Sequence, residues 1–273
     1  YPLAFDEISN HDGYYFGVKI SLYLTNEMEE KLNQCSYYLH TRDQSSLGGR
    51  AIDINLKNPI TGLPMTESSS GTAINVFLGI NDIGMGTDGG GSVLAPAVSL
   101  NLFSVIDPLL FYEERKKENE KVSTDGISFM PSIGLISRNL KLLRELYLKL
   151  RVLEDFNQRV KILVDDKNIC DLFNDEEVDL DTFEGKYTDE RLELIETTKR
   201  RLEKYDIIVS KEGPVDLNGF GDTVFGHFDD KTKKIQIDAN KGFLRIANMT
   251  NCFALTVPSG ELSTAYVILC NAS

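Results

Sequence analysis

The sequence predicts an α/β fold in which helices cover a mixed sheet, and three observations carry that prediction. Helix is followed by strand: Asp189 to Lys204 spaces Leu192, Ile195 and Leu202 along one helical face, and the apolar run Ile207 to Val209 comes next. A second helix follows Ser137, which can cap it, and its Leu140, Leu143, Tyr147, Leu150 and Leu153 recur at helical spacing as a core stripe. Runs rich in β-branched and aromatic residues lie toward both ends. These are Phe16 to Leu24, then Leu255 to Val257 and Ala265 to Leu269 on either side of the Pro258-Ser259-Gly260 turn.

The remaining segments fill in between. Asn26 to Leu39 reads as a helix and Thr41 to Gly49 as a polar turn region. Asp107 to Lys121, acidic and then basic, reads as a solvated helix leading into a turn at Ser123 to Gly126. With 273 residues, 41% of them hydrophobic, and no Pro/Gly/Ser-rich linker, residues 1–273 are expected to form a single domain. No internal repeat is visible.

Composition removes several classes of function. A formal charge of −13 repels nucleic acid and anionic membrane, so neither is expected as a partner. The acidic runs Asp165-Asp166 and Asp175-Glu176-Glu177 read as solvated loops. Cys35, Cys170, Cys252 and Cys270 form no CxxC pair, which points away from zinc and redox chemistry and toward buried free thiols in a reducing, cytoplasmic setting. No stretch approaches the ~20 apolar residues of a membrane span. The chain begins with Tyr1 rather than Met, which leaves a removed leader open, and Asn248-Met249-Thr250 and Asn271-Ala272-Ser273 match the glycosylation sequon only as a short pattern. His11, His40 and His227 have no spacing that ties them to a nucleophile and read as surface residues.

Ser68 to Ser104 stands apart, dense in Gly, Ser and Ala. Within it, Gly86-Thr87-Asp88-Gly89-Gly90-Gly91-Ser92 is a glycine-rich turn that delivers a serine. Without Cβ atoms, successive backbone N–H groups can approach an anion, either a phosphate or the oxyanion of an acyl-transfer intermediate. A phosphate loop calls for a Lys after its last glycine, and here Ser92-Val93-Leu94 follows Gly91. An ordinary glycine turn with an incidental serine is the remaining alternative.

The flanking residues add more. Glu67-Ser68-Ser69-Ser70-Gly71-Thr72-Ala73 opens an apolar segment, and Val93-Leu94-Ala95-Pro96-Ala97 follows the serine. Together these resemble the amidase signature, approximately G-G-S-S-G-G-S-A and then G-T-D-x-G-G-S-I-R-x-P-A, with Ser68 and Ser92 at the family's spacing. Gly134 to Arg138, Tyr205 to Ser210 and Ala247 to Gly260 are similar to further family patches in the same order. Gly13-Tyr14-Tyr15-Phe16-Gly17-Val18-Lys19 resembles the strand that ends in the family's lysine; a rival register would put Tyr23 there with fewer matches.

The resemblance implies an amidase-signature-like core, a twisted sheet with helices on both faces. It also implies a C–N hydrolase with a Ser-Ser-Lys triad acting on a small-molecule or peptide amide, without metal or cofactor. Carried over, Ser92 is the nucleophile, Ser68 the bridging serine in a cis peptide, and Lys19 the base, its pKa lowered by burial. Gly89, Gly90, Gly91 and Ser92 would supply oxyanion-hole N–H groups, and Thr87 and Asp88 would brace the loop. Tyr15, Ile20, Ser70 and Leu94 depart from the pattern, Leu94 replacing an Arg that would pair with Asp88. The chain is also shorter than typical members. These departures support an alternative: a catalytically degenerate relative that serves as a binding or scaffold subunit with a protein partner.

Overall fold

Alternate burial builds the sheet. In Tyr37–Asp43, residues 37, 39, 41 and 43 are buried and those between are half-buried, the period of two that pleated backbone imposes. The computed structural model describes residues 2–6, 12–46, 52–116, 118–123, 125–151, 159–170, 173, 177–221 and 229–272. Within them the strands are β1 (Pro2–Phe5), β2 (Tyr14–Lys19), β3 (Tyr37–Asp43), β4 (Ile83–Asp88), β5 (Phe103–Asp107), β6 (Lys121–Val122), β7 (Ser128–Phe129), β8 (Ser132–Ser137), β9 (Lys161–Val164), β10 (Glu177–Leu180), β11 (Ile207–Glu212), β12 (Cys252–Pro258) and β13 (Ala265–Asn271). The helices are α1 (Asn26–Gln34), α2 (Ser70–Phe77), α3 (Leu94–Ser99), α4 (Leu140–Leu150), α5 (Lys167–Cys170), α6 (Arg191–Leu202) and α7 (Asp230–Ile237).

Eleven strands join in one sheet, in the order β1-β3-β2-β4-β8-β5-β12-β13-β11-β9-β10, while β6 and β7 pair separately. The sheet is mixed: β3-β2-β4 and β11-β9-β10 run parallel, and the strands between them are antiparallel. Neighbouring residues of one strand feed opposite faces. Ile133 and Leu135 of β8 join a core with Met28 and Leu32 of α1 and Leu142, Leu143 and Leu146 of α4; Ile136 joins another core with residues of α2, α3 and α6. Helices therefore cover both faces, as expected.

Several element boundaries differ from expectation. The first strand stops at Lys19, where Leu22 N–H turns back to the Lys19 carbonyl. The first helix ends at Gln34; Ser36 takes φ 66°, and Tyr37 to Leu39 are strand rather than helix. No α-helix forms in the described part of Asp107 to Lys121. Asp107 is buried there to accept from Tyr147 Oη at 2.8 Å and Arg151 Nε at 3.1 Å, and only a short 3-10 turn, Glu113–Arg115, follows. The cap of α4 is Asn139, whose side chain accepts from Leu142 N–H at 3.2 Å, while Ser137 ends β8. Leu143 and Tyr147 are buried as expected; Leu140 is exposed, and Leu153 lies outside the described residues. On α6, Leu192 is exposed and Leu194 takes its place beside Ile195 and Leu202.

Asp165 is not in a solvated loop. Its carboxylate accepts from Lys186 Nζ at 2.5 Å, Ser210 Oγ at 2.6 Å and Lys211 N–H at 2.8 Å. Asp175 and Glu176 lie outside the described residues. The four cysteines are free, with Cys252 buried and the others half-buried. Among the described residues, no helix is long and apolar enough to cross a membrane.

Candidate active site

Lys19 is the last residue of β2, and its parallel neighbour β4 runs on past it to Asp88. Val18 is opposite Met85 in that pairing, so Lys19 leaves the sheet beside Gly86 and Thr87. The carboxyl ends of parallel strands are where open α/β sheets gather their sites. Lys19 is only 2% exposed, and its Nζ donates to Ser68 Oγ at 3.0 Å, the Thr87 carbonyl at 3.0 Å and Thr87 Oγ1 at 2.6 Å. Burial lowers its pKa to about 7; the charge of Asp88 works against that shift and the charge of Lys121 adds to it.

The two serine loops meet above this lysine. Ser69 N–H donates to the Ser92 carbonyl at 3.2 Å. Their approach depends on Gly86, because a Cβ there would lie 2.5 Å from Ser69 Oγ. The turn itself is built on Asp88, which is fully buried and accepts from the N–H groups of Gly91, Val93 and Leu94 at 2.8, 2.6 and 3.1 Å. Gly91 takes φ 106°, a conformation that favours glycine. Burial pushes the Asp88 carboxyl up, and these three donors oppose it. Backbone amides thus occupy the carboxylate for which the family resemblance implied an arginine.

The hydroxyls are arranged in two separate contacts. Ser68 Oγ meets Lys19, whereas Ser92 Oγ donates to Glu67 Oε2 at 3.1 Å. No hydrogen bond between the two serine hydroxyls is formed among the described residues. The cis peptide implied for Ser68 is not found either. Gly213–Pro214 is the cis bond among the described residues, and Glu67, where the signature has Gly, takes φ 77° instead.

No family model matches the chain, and no curated protein sequence matches it. Solved structures do. Allophanate hydrolase from Kluyveromyces lactis superimposes with a TM-score of 0.60 at 12% identity, over 95% of this chain and 59% of that one. One component of the glutamyl-tRNA(Gln) amidotransferase from Thermotoga maritima gives 0.60 at 13%, over 99% and 83%. A 6-aminohexanoate cyclic dimer hydrolase gives 0.57 at 10%, over 96% and 83%. The chain has the amidase-signature fold. It spans 22% of the urea amidolyase from K. lactis, matched at a TM-score of 0.61 and 12% identity, and at such identities the likeness is one of fold.

Within this amidase-signature fold the sequence reading brought Lys19, Ser68, Thr87, Asp88 and Ser92 to one place, and it missed a second cluster beside them. Lys241 is 5% exposed; its Nζ donates to Thr66 Oγ1 at 2.5 Å and to Glu67 Oε1 at 3.3 Å, and lies 3.3 Å from Asp216 Oδ1. Thr66 Oγ1 in turn donates to Asp216 Oδ2 at 2.6 Å. Burial alone would lower the Lys241 pKa, but the charges of Asp216 and Glu67 outweigh it and hold the group above its ordinary value. The backbone here is pinned by Glu212, a buried carboxylate that accepts from the N–H groups of Gly242, Phe243 and Leu244 at 2.9, 2.5 and 3.3 Å. Glu67 had a signal, a charged residue at a glycine position of the signature; Lys241, far away in sequence and in no motif, had none.

A cleft of about 120 Å³ reaches this region, lined by Gly90, Tyr187, Arg191, Lys241 and Arg245 among others. Of the glycines expected to hold an oxyanion, Gly91 has its N–H on Asp88, and Gly90 faces the cleft. His40 is structural. Its Nδ1 is 3.0 Å from the Ile80 carbonyl and 2.9 Å from Asn81 Oδ1, and its ring centroid is 5.5 Å from those of both Phe5 and Tyr15. His11 and His227 lie outside the described residues.

Proposed function

We propose that this chain is an amide hydrolase in which Ser92 is the nucleophile and Ser68 and Lys19 move its proton. The observation that supports this best is the contact of a buried lysine, its pKa lowered to about 7, with the Ser68 hydroxyl at 3.0 Å. A free amine keeps two donors for Thr87 and turns its lone pair toward Ser68, so the same geometry serves the base form. Ser92 Oγ would bond to the amide carbon, its proton passing through Ser68 to Lys19 while the carbonyl electrons move onto oxygen. The N–H groups of Gly89, Gly90 and Ser92 would receive that oxyanion, Gly91 being engaged by Asp88. Return of the proton to nitrogen breaks the C–N bond, and water then hydrolyses the acyl-enzyme.

The substrate class is a small-molecule or peptide amide entering by the cleft at Gly90. The test is turnover of an amide panel by the purified chain and by its Ser92→Ala and Lys19→Ala variants. Ser92→Ala should abolish hydrolysis, and Lys19→Ala should lower kcat by ~10²–10⁴-fold, the range for removal of an acid–base group. Equal rates in all three would remove the reading. A second reading, a degenerate binding or scaffold protein, is favoured by one observation: Ser92 Oγ is engaged by Glu67 rather than by Ser68. Co-purification of a stoichiometric partner with no turnover would select it.

A further inference from the structure

The hydroxyl of Ser92 is not waiting for its relay; it is already bonded to a carboxylate. Glu67 Oε2 accepts from Ser92 Oγ at 3.1 Å, and the other oxygen of the same carboxylate, Oε1, accepts from Lys241 Nζ at 3.3 Å. Lys241 is fixed by Thr66 and Asp216, and the segment that carries it by Glu212. This is the arrangement that activated nucleophiles share: hydroxyl on acceptor, acceptor on an orienting group, and the orienting group held by a third. A carboxylate facing an ammonium accepts hydrogen bonds and donates none, so the proton between Ser92 and Glu67 belongs to the serine.

We propose that Glu67 is a second catalytic residue, a direct proton acceptor for Ser92, with Lys241 as its positioning residue. The proposal rests on Ser92 being the nucleophile. As Ser92 Oγ bonds to the carbonyl carbon, its proton moves to Glu67 Oε2 and the carbonyl π electrons move onto oxygen. When those electrons return, the C–N bond breaks and the protonated Glu67 gives its proton to the departing nitrogen. The Ser68–Lys19 route runs in parallel, so neither acceptor alone accounts for all of the activity. The signature carries Gly at this position, so the resemblance does not imply this second acceptor.

The experiment uses an alkyl fluorophosphonate, which phosphonylates an activated serine, forming the Oγ–P bond with loss of fluoride, and needs no knowledge of the substrate. Labelling of Ser92, located by peptide mass mapping, is timed near neutral pH for the full chain and for Lys19→Met, Glu67→Gln and the double variants Lys19→Met/Glu67→Gln and Lys19→Met/Glu67→Gly. Thermal melting checks that each is folded. Lys19→Met should retain slow labelling at Ser92, and adding Glu67→Gln should cut that remaining rate by ~10²-fold or more. The Lys19→Met/Glu67→Gly double variant, in which the Glu67 side chain is removed altogether, should fall in the same way if the double variant with Gln does not fold.

Equal labelling of the Lys19 variant with and without Glu67 overturns the proposal. So does a complete loss of labelling in Lys19→Met alone, which would leave no parallel route. Faster labelling of Glu67→Gln than of the parent also overturns it, because Glu67 would then be a plug. In all three cases Ser92 of the parent is labelled and the nucleophile reading survives. A parent that is never labelled at Ser92 removes both.

Discussion

Two lysines are buried within reach of the same pair of loops, and the fold treats them in opposite ways. Among the described residues Lys19 donates to neutral acceptors, Ser68 and Thr87, and Asp88, the carboxylate whose charge acts on it most, is taken up by three backbone N–H groups. Burial therefore prevails, and the ammonium loses its advantage near pH 7. Lys241 is as deeply buried but faces Asp216 and Glu67 directly, each at 3.3 Å, and its pKa rises instead. Depth alone does not make a lysine a base. What decides is whether a carboxylate reaches the ammonium or is held off by amides of its own.

The largest difference should appear in stability. Lys241→Met would take the cation away from the buried Asp216 and the half-buried Glu67, and removing one partner of a buried ion pair costs about 3–5 kcal/mol. Lys19→Met strands no carboxylate in direct contact with it and removes a charge that burial already disfavours, so at pH 6 it should be no less stable than the parent. Denaturant midpoints of the three proteins measure both effects. A Lys241→Met protein as stable as the parent would show that its carboxylates are answered elsewhere and would end the contrast.

An effect of similar total size, but smaller at each pH unit, concerns the pH dependence of stability. Lys19 has a folded pKa of about 7 against ~10.4 for an unfolded lysine, so between these values the unfolded chain binds the additional proton. Stability should therefore rise with pH across that window by up to ~1.4 kcal/mol per unit, and be flat in this contribution below pH 7. Subtracting the profile of Lys19→Met isolates it from tyrosines and cysteines that titrate nearby. Lys241, with its pKa raised, gives no rise between pH 7 and 10. A difference profile that stays level from 7 to 10 would mean that Lys19 keeps its proton throughout.

How much of this was legible in the sequence follows from where the determinants sit. The apolar and β-branched runs of β11, β12 and β13 and the periodicity of α4 and α6 are local, and they were readable. Leu192 and Leu194 both fit an apolar stripe on α6, and only packing against the sheet chooses Leu194. The helix expected through Leu39 fails because Ser36 turns left-handed and hands Tyr37 to a buried strand. The glycine turn and Ser92 were legible because close backbone approach leaves a mark in composition, whereas Ser68 and Lys19 were singled out by the family resemblance. The Lys241 cluster joins residues 66, 67, 216 and 241, brought together only when β11 and the segment after α7 fold over the first serine loop. No window of sequence contains it.

The smallest effect bears most directly on the proposed role of Lys19 as a base. Asp88 is the largest influence that raises its pKa against burial, so Asp88→Asn should lower it further and move the pH midpoint of Ser92 labelling below 7. Asn keeps one carbonyl acceptor for the three amides, so the loop should weaken and the absolute rate should fall; the midpoint is the informative quantity. Burial also pushes the Asp88 carboxyl up, which sets a competing outcome. If Asp88 still holds its own proton where Lys19 titrates, the substitution removes no charge and the midpoint stays in place. A shift toward acid therefore means that Lys19 titrates opposite a charged aspartate, and that its pKa is a balance of two large opposing influences. An unmoved midpoint means that Asp88 carries no charge there and that burial prevails without its opposition.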